Sequence, residues 1–281
     1  MKGILAQIVV LLNTLANAMG QPSLSFVANV PGWLSATIVA AASGAFLLFI
    51  FKYTSNQAAI KRVRNDIDAN LFALKLFKDA TPVVLAAQAA MIRGGFRLFV
   101  LAVVPMLVMM VPVLLLLGQL SLWYQFRPLR VGEDAVVVLK LNGKASDPMP
   151  ALTLGKNSAA TVVTGPVRVP SQREVVWVVK AGEAGPHVLS FNVGEQTVTK
   201  ELTVGDGFMR ISPRRPHWDW YDMLLNPAEP AFSPQSPVRS VEVAYPERTS
   251  WTSGTDNWVI YWFAVSMVAA FVFKPFLNVN I

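Results

Sequence analysis

RVRNDIDANLFALKLFKDATPVVLAAQAAMIRGGFR, Arg62–Arg97, is a charged, helix-forming stretch with a turn in its middle. Ile60, Val63, Ile67, Leu74 and Phe77 recur at near-heptad spacing, with Asn70 and Leu71 sharing one slot. That spacing predicts an amphipathic helix with a packing stripe. Arg62, Arg64, Asp66, Asp68, Lys75 and Lys78 fall mostly off the stripe. KDATP then stops the helix, because Thr81 suits an N-cap and Pro82 a first helical turn. A second arm, Pro82–Arg93, offers Val84, Ala87, Gln88 and Met91 to the first. The first arm is about twice as long, so about three turns pair. Gly94–Gly95 ends the second arm and reads as a hinge.

The hairpin lies between two long apolar segments. No charge occurs between Lys2 and Lys52, Arg97 and Arg127, or Asp256 and Lys274, gaps of 49, 29 and 17 residues. The 281-residue chain is 53% hydrophobic, with a mean hydropathy of +0.45. A helix needs about 20 apolar residues to cross a bilayer core. Three spans are therefore expected, at 32–51, 98–118 and 257–276. The net charge of +7 is concentrated: residues 52–97 hold eight basic and three acidic residues, whereas 119–256 hold fourteen of each. The positive-inside rule then puts 52–97 and the C-terminus in the cytoplasm, and the N-terminus and 119–256 outside. The expected location is the cell membrane, multi-pass. Trp33, Trp123, Tyr124, Trp258, Tyr261 and Trp262 mark the outer interface in this reading. The charge distribution argues against nucleic acid as the main partner. The absence of cysteine excludes a disulfide or thiolate metal site.

Residues 1–20 fit two readings. One is a cleaved signal peptide with Lys2, an apolar run from Ile4 and Ala16–Asn17–Ala18 as cleavage site. The other is an amphipathic interfacial helix with Gln7, Thr14 and Asn17 on one side and Ile4, Ile8, Leu11 and Leu15 on the other. In the first span, Ala41, Ala42, Ser43, Gly44 and Ala45 form a small-residue cluster, which favours close helix packing. The second reading of Ser43 is a thin polar wall of a cavity.

From 126 to 205 the period changes to two. DAVVVLKL, ATVVTGPVRV, EVVWVVKA, HVLSFNV and TVTKELTV are strand-like and separated by turn residues. They predict an extracytoplasmic all-β, sandwich-like domain. Residues 208–256, rich in proline and aromatics, read as an irregular return segment. The fold class is thus an α-helical membrane protein of three spans with a cytoplasmic helical hairpin, plus a β-domain.

Catalytic chemistry finds little support. His217, Asp219 and Asp222 in RRPHWDWYD form a weak metal pattern, better read as an anchor for Trp218, Trp220 and Tyr221 at headgroups. His187 reads as a surface turn, and GDG and RGGF lack the context of a phosphate loop. The chain is expected to be no enzyme, with no catalytic residue, metal or cofactor.

A basic helical hairpin between the first two of three spans resembles the YidC/Oxa/Alb family of membrane protein insertases and its three-span relatives in archaea and the ER. The stretches that carry the resemblance are KRVRNDIDANLFALKLF, KDATP, MIRGGFR and VVPMLVMMVPVLLLL, with Pro105 and Pro112. It covers roughly 1–120 and 257–276, and the order of elements carries it. The family's outer amphipathic helix favours that reading of 1–20. Many members carry an arginine midway along the first core span; this chain has Ser43, Gly44 and Ala45 there, and its nearest cation is Lys52. The two further helices of five-span forms are missing, and the β-domain lies between spans two and three.

The resemblance implies an insertase that receives nascent hydrophobic segments through a cytoplasm-open groove. Such a groove spares polar flanks part of a crossing that costs about 3 kcal/mol per charge. Ser43, Lys52 and Ser266 are the candidate groove residues. Lys61, Arg62 and Arg64 of the hairpin would meet anionic headgroups or ribosomal RNA, or only fix topology. The implied partners are nascent membrane proteins. A second hypothesis is a membrane-anchored envelope scaffold that binds a partner protein through the β-domain. A transporter subunit is disfavoured, since no acid or base lies inside the spans.

Overall fold

The computed structural model describes residues 2–155 and 159–279. Six α-helices and eight strands are formed there. The chain divides into two compact units, one of residues 1–36 and 115–262, the other of 37–114 and 263–281.

The second unit is helical. α2 (Gly32–Thr54), α4 (Thr81–Tyr124) and α6 (Trp258–Leu277) each have residues in it, and α3 (Gln57–Leu76) lies wholly within it. Asn56 caps α3, its side chain accepting the Ala59 N–H at 3.0 Å. The expected turn follows at 77–80, and α4 begins at Thr81. Ile60, Val63 and Ala87 are buried, as the stripe predicts, and Ile67 and Met91 are partly so. The expected break at Gly94–Gly95 is absent: α4 runs through it, and through Pro105 and Pro112, for 44 residues. The reason is packing. A Cβ at Gly94 would lie 2.7 Å from Ile67 Cγ1, so this glycine admits the facing arm, while nothing lies within 4 Å of a Cβ at Gly95.

The first unit contains α1 (Lys2–Leu24), α5 (Trp220–Leu225) and the strands. β3 (Ala160–Val169), β4 (Glu174–Ala181), β1 (Asp134–Leu141), β8 (Val238–Val243) and β7 (Arg214–Arg215) form one antiparallel sheet in that order. β2 (Leu152–Leu154), β5 (Gly185–Val193) and β6 (Gln196–Val204) form a second. Alternate residues of β1 and β4 join Leu189, Phe191 and Leu202 in one hydrophobic core. The Trp177 and Phe191 rings meet there at 5.4 Å. The return segment is less irregular than the sequence predicts. β8 pairs with β1, Leu139 opposite Val241, and so takes an interior place in the larger sheet.

Among the described residues four helices are long and apolar enough to cross a membrane, one more than expected: the additional stretch is Gly3–Asn29. This marks a multi-pass membrane protein. In α1, Ile4, Ile8, Leu11, Leu15 and Met19 point outward, while Ala6 and Val9 pack on Met223. Asn13 and Asn17 donate to the Met223 and Pro227 carbonyls, both at 2.7 Å, and Gln119 donates to Asn17 Oδ1 at 2.8 Å. Trp123, Tyr124, Trp258 and Trp262, expected at the membrane surface, are buried against protein; Trp33 is exposed.

Candidate functional site

In the helical unit, α2 and α6 approach through their smallest residues. A Cβ on Gly44 would overlap the Ser266 carbonyl oxygen, so only a hydrogen fits at that position. Ser43 and Ser266 are both buried here. Each hydroxyl donates to its own helix, Ser43 to the Val39 carbonyl at 2.7 Å and Ser266 to the Phe263 carbonyl at 3.0 Å. Of the three predicted groove residues, Ser266 sits at this contact, and Ser43 neighbours Gly44 with its hydroxyl bonded inside α2. Lys52 does not join them: it lies in the last turn of α2, partly exposed, with its ammonium 5.9 Å from the Tyr53 ring.

The hairpin carries its predicted basic residues on the outside. Lys61 and Arg62 are exposed and Arg64 is half-buried; Arg62 Nε donates to the Ala58 carbonyl at 3.3 Å. Among the described residues none of these three forms an ion pair. Toward the turn the stripe residues Leu74 and Val84 are half-buried, and apolar side chains mostly beside the stripe stay uncovered. Leu71, Phe72, Leu76 and Phe77 on the first arm and Val83 and Leu85 on the second are exposed, beside exposed Lys75 and Lys78. The turn end of the hairpin thus combines exposed large apolar side chains with positive charge, and among the described residues nothing buries them.

In the β-rich unit the histidine pattern resolves into local structure. Asp222 accepts the His217 backbone N–H at 2.9 Å and pairs with Arg214 at 3.3 Å, so its carboxylate is engaged. Burial and the Arg239 charge hold the His217 imidazole below its ordinary pKa. Among the described residues no group of three or more His, Asp or Glu side chains is arranged to hold a metal ion. His187, expected in a surface turn, instead lies in β5 opposite Leu202, half-buried, with its ring 2.8 Å from the Glu183 carbonyl.

Two features escape the sequence reading. Lys200 is fully buried, bonded to Glu229 Oε1 at 2.5 Å, the Ser212 carbonyl at 2.6 Å and Ser212 Oγ at 3.1 Å. Ser212 also donates to Glu229, and Glu229 Oε2 accepts the Glu201 N–H at 3.0 Å. This network ties the return segment to β6. Its signal is the alternation of TVTKELTV, which puts Lys200 on the same face as Val198 and Leu202. The other is Arg248, which lines two open cavities of about 380 and about 470 Å³ just ahead of α6; a lone arginine in a hydroxyl-rich loop leaves no recognisable pattern.

No family model matches the chain, and no curated protein or solved structure matches it either.

Proposed function

We propose that this chain is a membrane protein insertase or chaperone-like receiver of nascent apolar segments. In this reading α2, α4 and α6 cross the cell membrane, the hairpin of α3 and the first arm of α4 stands in the cytoplasm, and α1 lies at the outer face. The β-rich region is then an extracytoplasmic sandwich. The observation that carries the reading is the end of the hairpin, where Phe72, Leu76, Phe77 and Leu85 stay exposed beside Lys75 and Lys78. Fully burying such a side chain is worth about 1.5–3 kcal/mol, so the surface gains by taking up a passing apolar helix. The lysines add attraction to anionic lipid headgroups or ribosomal RNA, as do Lys61, Arg62 and Arg64. The 44 residues of α4 measure about 66 Å along the helix at 1.5 Å per residue, and so link the receiving end to the bilayer in one element.

No covalent step, metal or cofactor enters this reading; burial of the substrate's own helix drives the transfer. Ser43, Lys52 and Ser266 are its groove residues, and the α2–α6 contact supplies the place where a small-residue seam can part. The test is photocrosslinking from Phe72, Leu76, Ser43 and Ser266 during translation in cells, scored for nascent membrane proteins. Adducts at the hairpin positions that follow substrate hydrophobicity support the proposal; their absence, with normal insertion after depletion, refutes it.

A second reading, an envelope scaffold, is favoured by one strand. β3 is ten residues long, pairs among the described residues only with β4 and exposes Val162, Val163 and Val167. Such an edge can receive a strand from a partner. If deletion of the β-region abolishes function and shortening the hairpin does not, this second reading replaces the first.

A further inference from the structure

The loop PERTSWTSGTDNW, Pro246–Trp258, carries one arginine among many hydroxyls. Arg248 is held in place from three sides. Its Nε donates to the Trp123 carbonyl at 3.1 Å, its Nη2 to the Gly207 carbonyl at 3.0 Å, and its guanidinium lies 3.8 Å from the Phe208 ring centre. Two glycines permit this. A Cβ at Gly32 would overlap the Phe208 ring, and one at Gly254, where φ is +104°, would overlap the Arg248 carbonyl.

Arginine has five N–H donors, so three remain without a partner among the described residues. No carboxylate there forms an ion pair with it; Arg127, the other cation lining the smaller cavity, is matched by Glu133 in a bidentate pair at 2.7 and 2.8 Å. Burial and the neighbouring Arg127 pull Arg248 down to about 10, which leaves it charged at neutral pH. A partly buried cation without a counter-ion is unfavourable, and the fold supplies no acid in the smaller cavity to offset it.

The rest of the lining points to what does. Thr249 and Ser253 contribute hydroxyls that make no hydrogen bond among the described residues, although Ser253 is only 2% exposed. Trp33 and Trp251 flank the opening, both exposed; Trp33 is the second residue of α2, and Trp251 packs edge-on against Tyr261 of α6 at 5.1 Å. The cavity therefore opens beside the first turns of two apolar helices, ringed by the side chains that favour headgroup depth. A guanidinium fork with free donors, two hydroxyls and no carboxylate suits a phosphate oxyanion. An acid to receive a choline or ethanolamine ammonium is missing there, whereas the larger neighbouring cavity has Glu247 and Asp256.

We propose that the cavity beside Arg248 binds the phosphate of an anionic phospholipid headgroup, with Arg248 as the charged ligand, Thr249 and Ser253 as hydroxyl donors, and Trp33 and Trp251 against the glycerol. The proposal rests on α2 and α6 being bilayer spans and is independent of what the hairpin does.

The test is native mass spectrometry of the full chain released from maltoside, titrated with dioleoyl phosphatidylglycerol or dioleoyl phosphatidylcholine. One phosphatidylglycerol should be retained preferentially. Arg248→Gln should weaken it by about tenfold to a hundredfold, the range of one lost charge-assisted contact. Arg239→Gln, at an exposed arginine of β8, should change nothing. Thr249→Val spares the carbonyl contacts of Arg248 and should weaken retention by about threefold, so it carries the test if the Arg248 variant loses its fold by circular dichroism. Equal retention of both lipids, or an unaltered titration in Arg248→Gln or Thr249→Val, overturns the site alone. Retention of neither lipid overturns the bilayer reading with it. Full displacement of phosphatidylglycerol by millimolar inorganic phosphate shows a free-phosphate site and overturns the lipid assignment.

Discussion

Adjacent glycines in α4 give opposite expectations, and the pair tests whether the hairpin is a packed rod or a hinged arm. Gly94 faces α3, where a Cβ would stand 2.7 Å from Ile67 Cγ1 and 3.9 Å from Val63 Cγ1. Gly94→Leu inserts a whole side chain into that contact. Overpacking of this kind costs about 1–3 kcal/mol. Gly95 has nothing within 4 Å of its Cβ position and lies in a continuous helix. Gly95→Ala should stabilise by about 0.5–1 kcal/mol, because alanine loses less backbone entropy than glycine in a helix. The assay is amide hydrogen exchange of Val63–Ile67 in the detergent-solubilised full chain. At 1.4 kcal/mol per tenfold, Gly94→Leu should speed exchange about fivefold to about 150-fold, and Gly95→Ala should slow it about twofold to fivefold. If Gly95→Ala accelerates exchange and impairs function, the glycines form a hinge after all. If Gly94→Leu leaves exchange unaltered, the two arms do not pack as described.

Three further outcomes follow from other parts of the molecule. Lys200→Met strands Glu229 in the interior and should cost about 3–5 kcal/mol, seen as exchange of the β6 amides faster by about two to three and a half orders of magnitude; the double variant Lys200→Met/Glu229→Gln, which removes the stranded charge, should recover most of that loss. Hydrogen bonding by the Arg127 guanidinium holds the Glu133 carboxyl down at about 2, against an ordinary value of 4.5. Its folded pKa is depressed, so its stabilisation is complete above pH 4.5 and is lost as pH falls toward 2; after screening at this partly exposed pair it is about 1 kcal/mol, and Glu133→Gln should lower the thermal midpoint at pH 7 and flatten its acid dependence. Gly44→Leu should drive α2 from α6 and lower the amount of folded protein recovered, whereas Ser43→Ala, which removes only a bond to its own helix, should not.

How much of this was legible in the sequence depends on the range of the interaction that fixes each element. DAVVVLKL and EVVWVVKA coincide with β1 and β4, because alternation is a local property and both strands have one face in the core. VRSVEV alternates less cleanly, sits between Pro237 and Pro246, and becomes β8 only by pairing with a strand about a hundred residues earlier. Gly94–Gly95 reads as a break on propensity alone; the contact with Ile67 that makes glycine necessary there is tertiary. The same holds for the candidate sites. Ser43, Gly44 and Ser266 were visible as small or polar residues in apolar runs, and the contact of Gly44 with Ser266 is a property of two helices together. Lys200 and Arg248 were invisible as sites because their partners, Glu229, Ser212, Trp123 and Gly207, are distant or are backbone carbonyls without sequence signature.

The polarity of α1 bears on the medium around the molecule. Two of its polar residues, Asn13 and Asn17, face the protein and donate to carbonyls within and just beyond α5, while Gln7 and Thr14 are exposed along with Ile4, Ile8, Leu11, Leu15 and Met19. In water this arrangement leaves five large apolar side chains exposed, and fully burying such a side chain is worth about 1.5–3 kcal/mol. In an acyl environment it is the favourable one: apolar residues lose nothing outward, and two amides satisfy carbonyls that water does not reach. The same test separates the hairpin from the rest of the helical part. Phe72, Leu76 and Phe77 also point outward, but Lys75, Lys78 and Asp79 lie among them, and each charge adds to the cost of an acyl environment there. An exposed apolar surface interrupted by charges is what the proposed receiving role asks of this end of the hairpin.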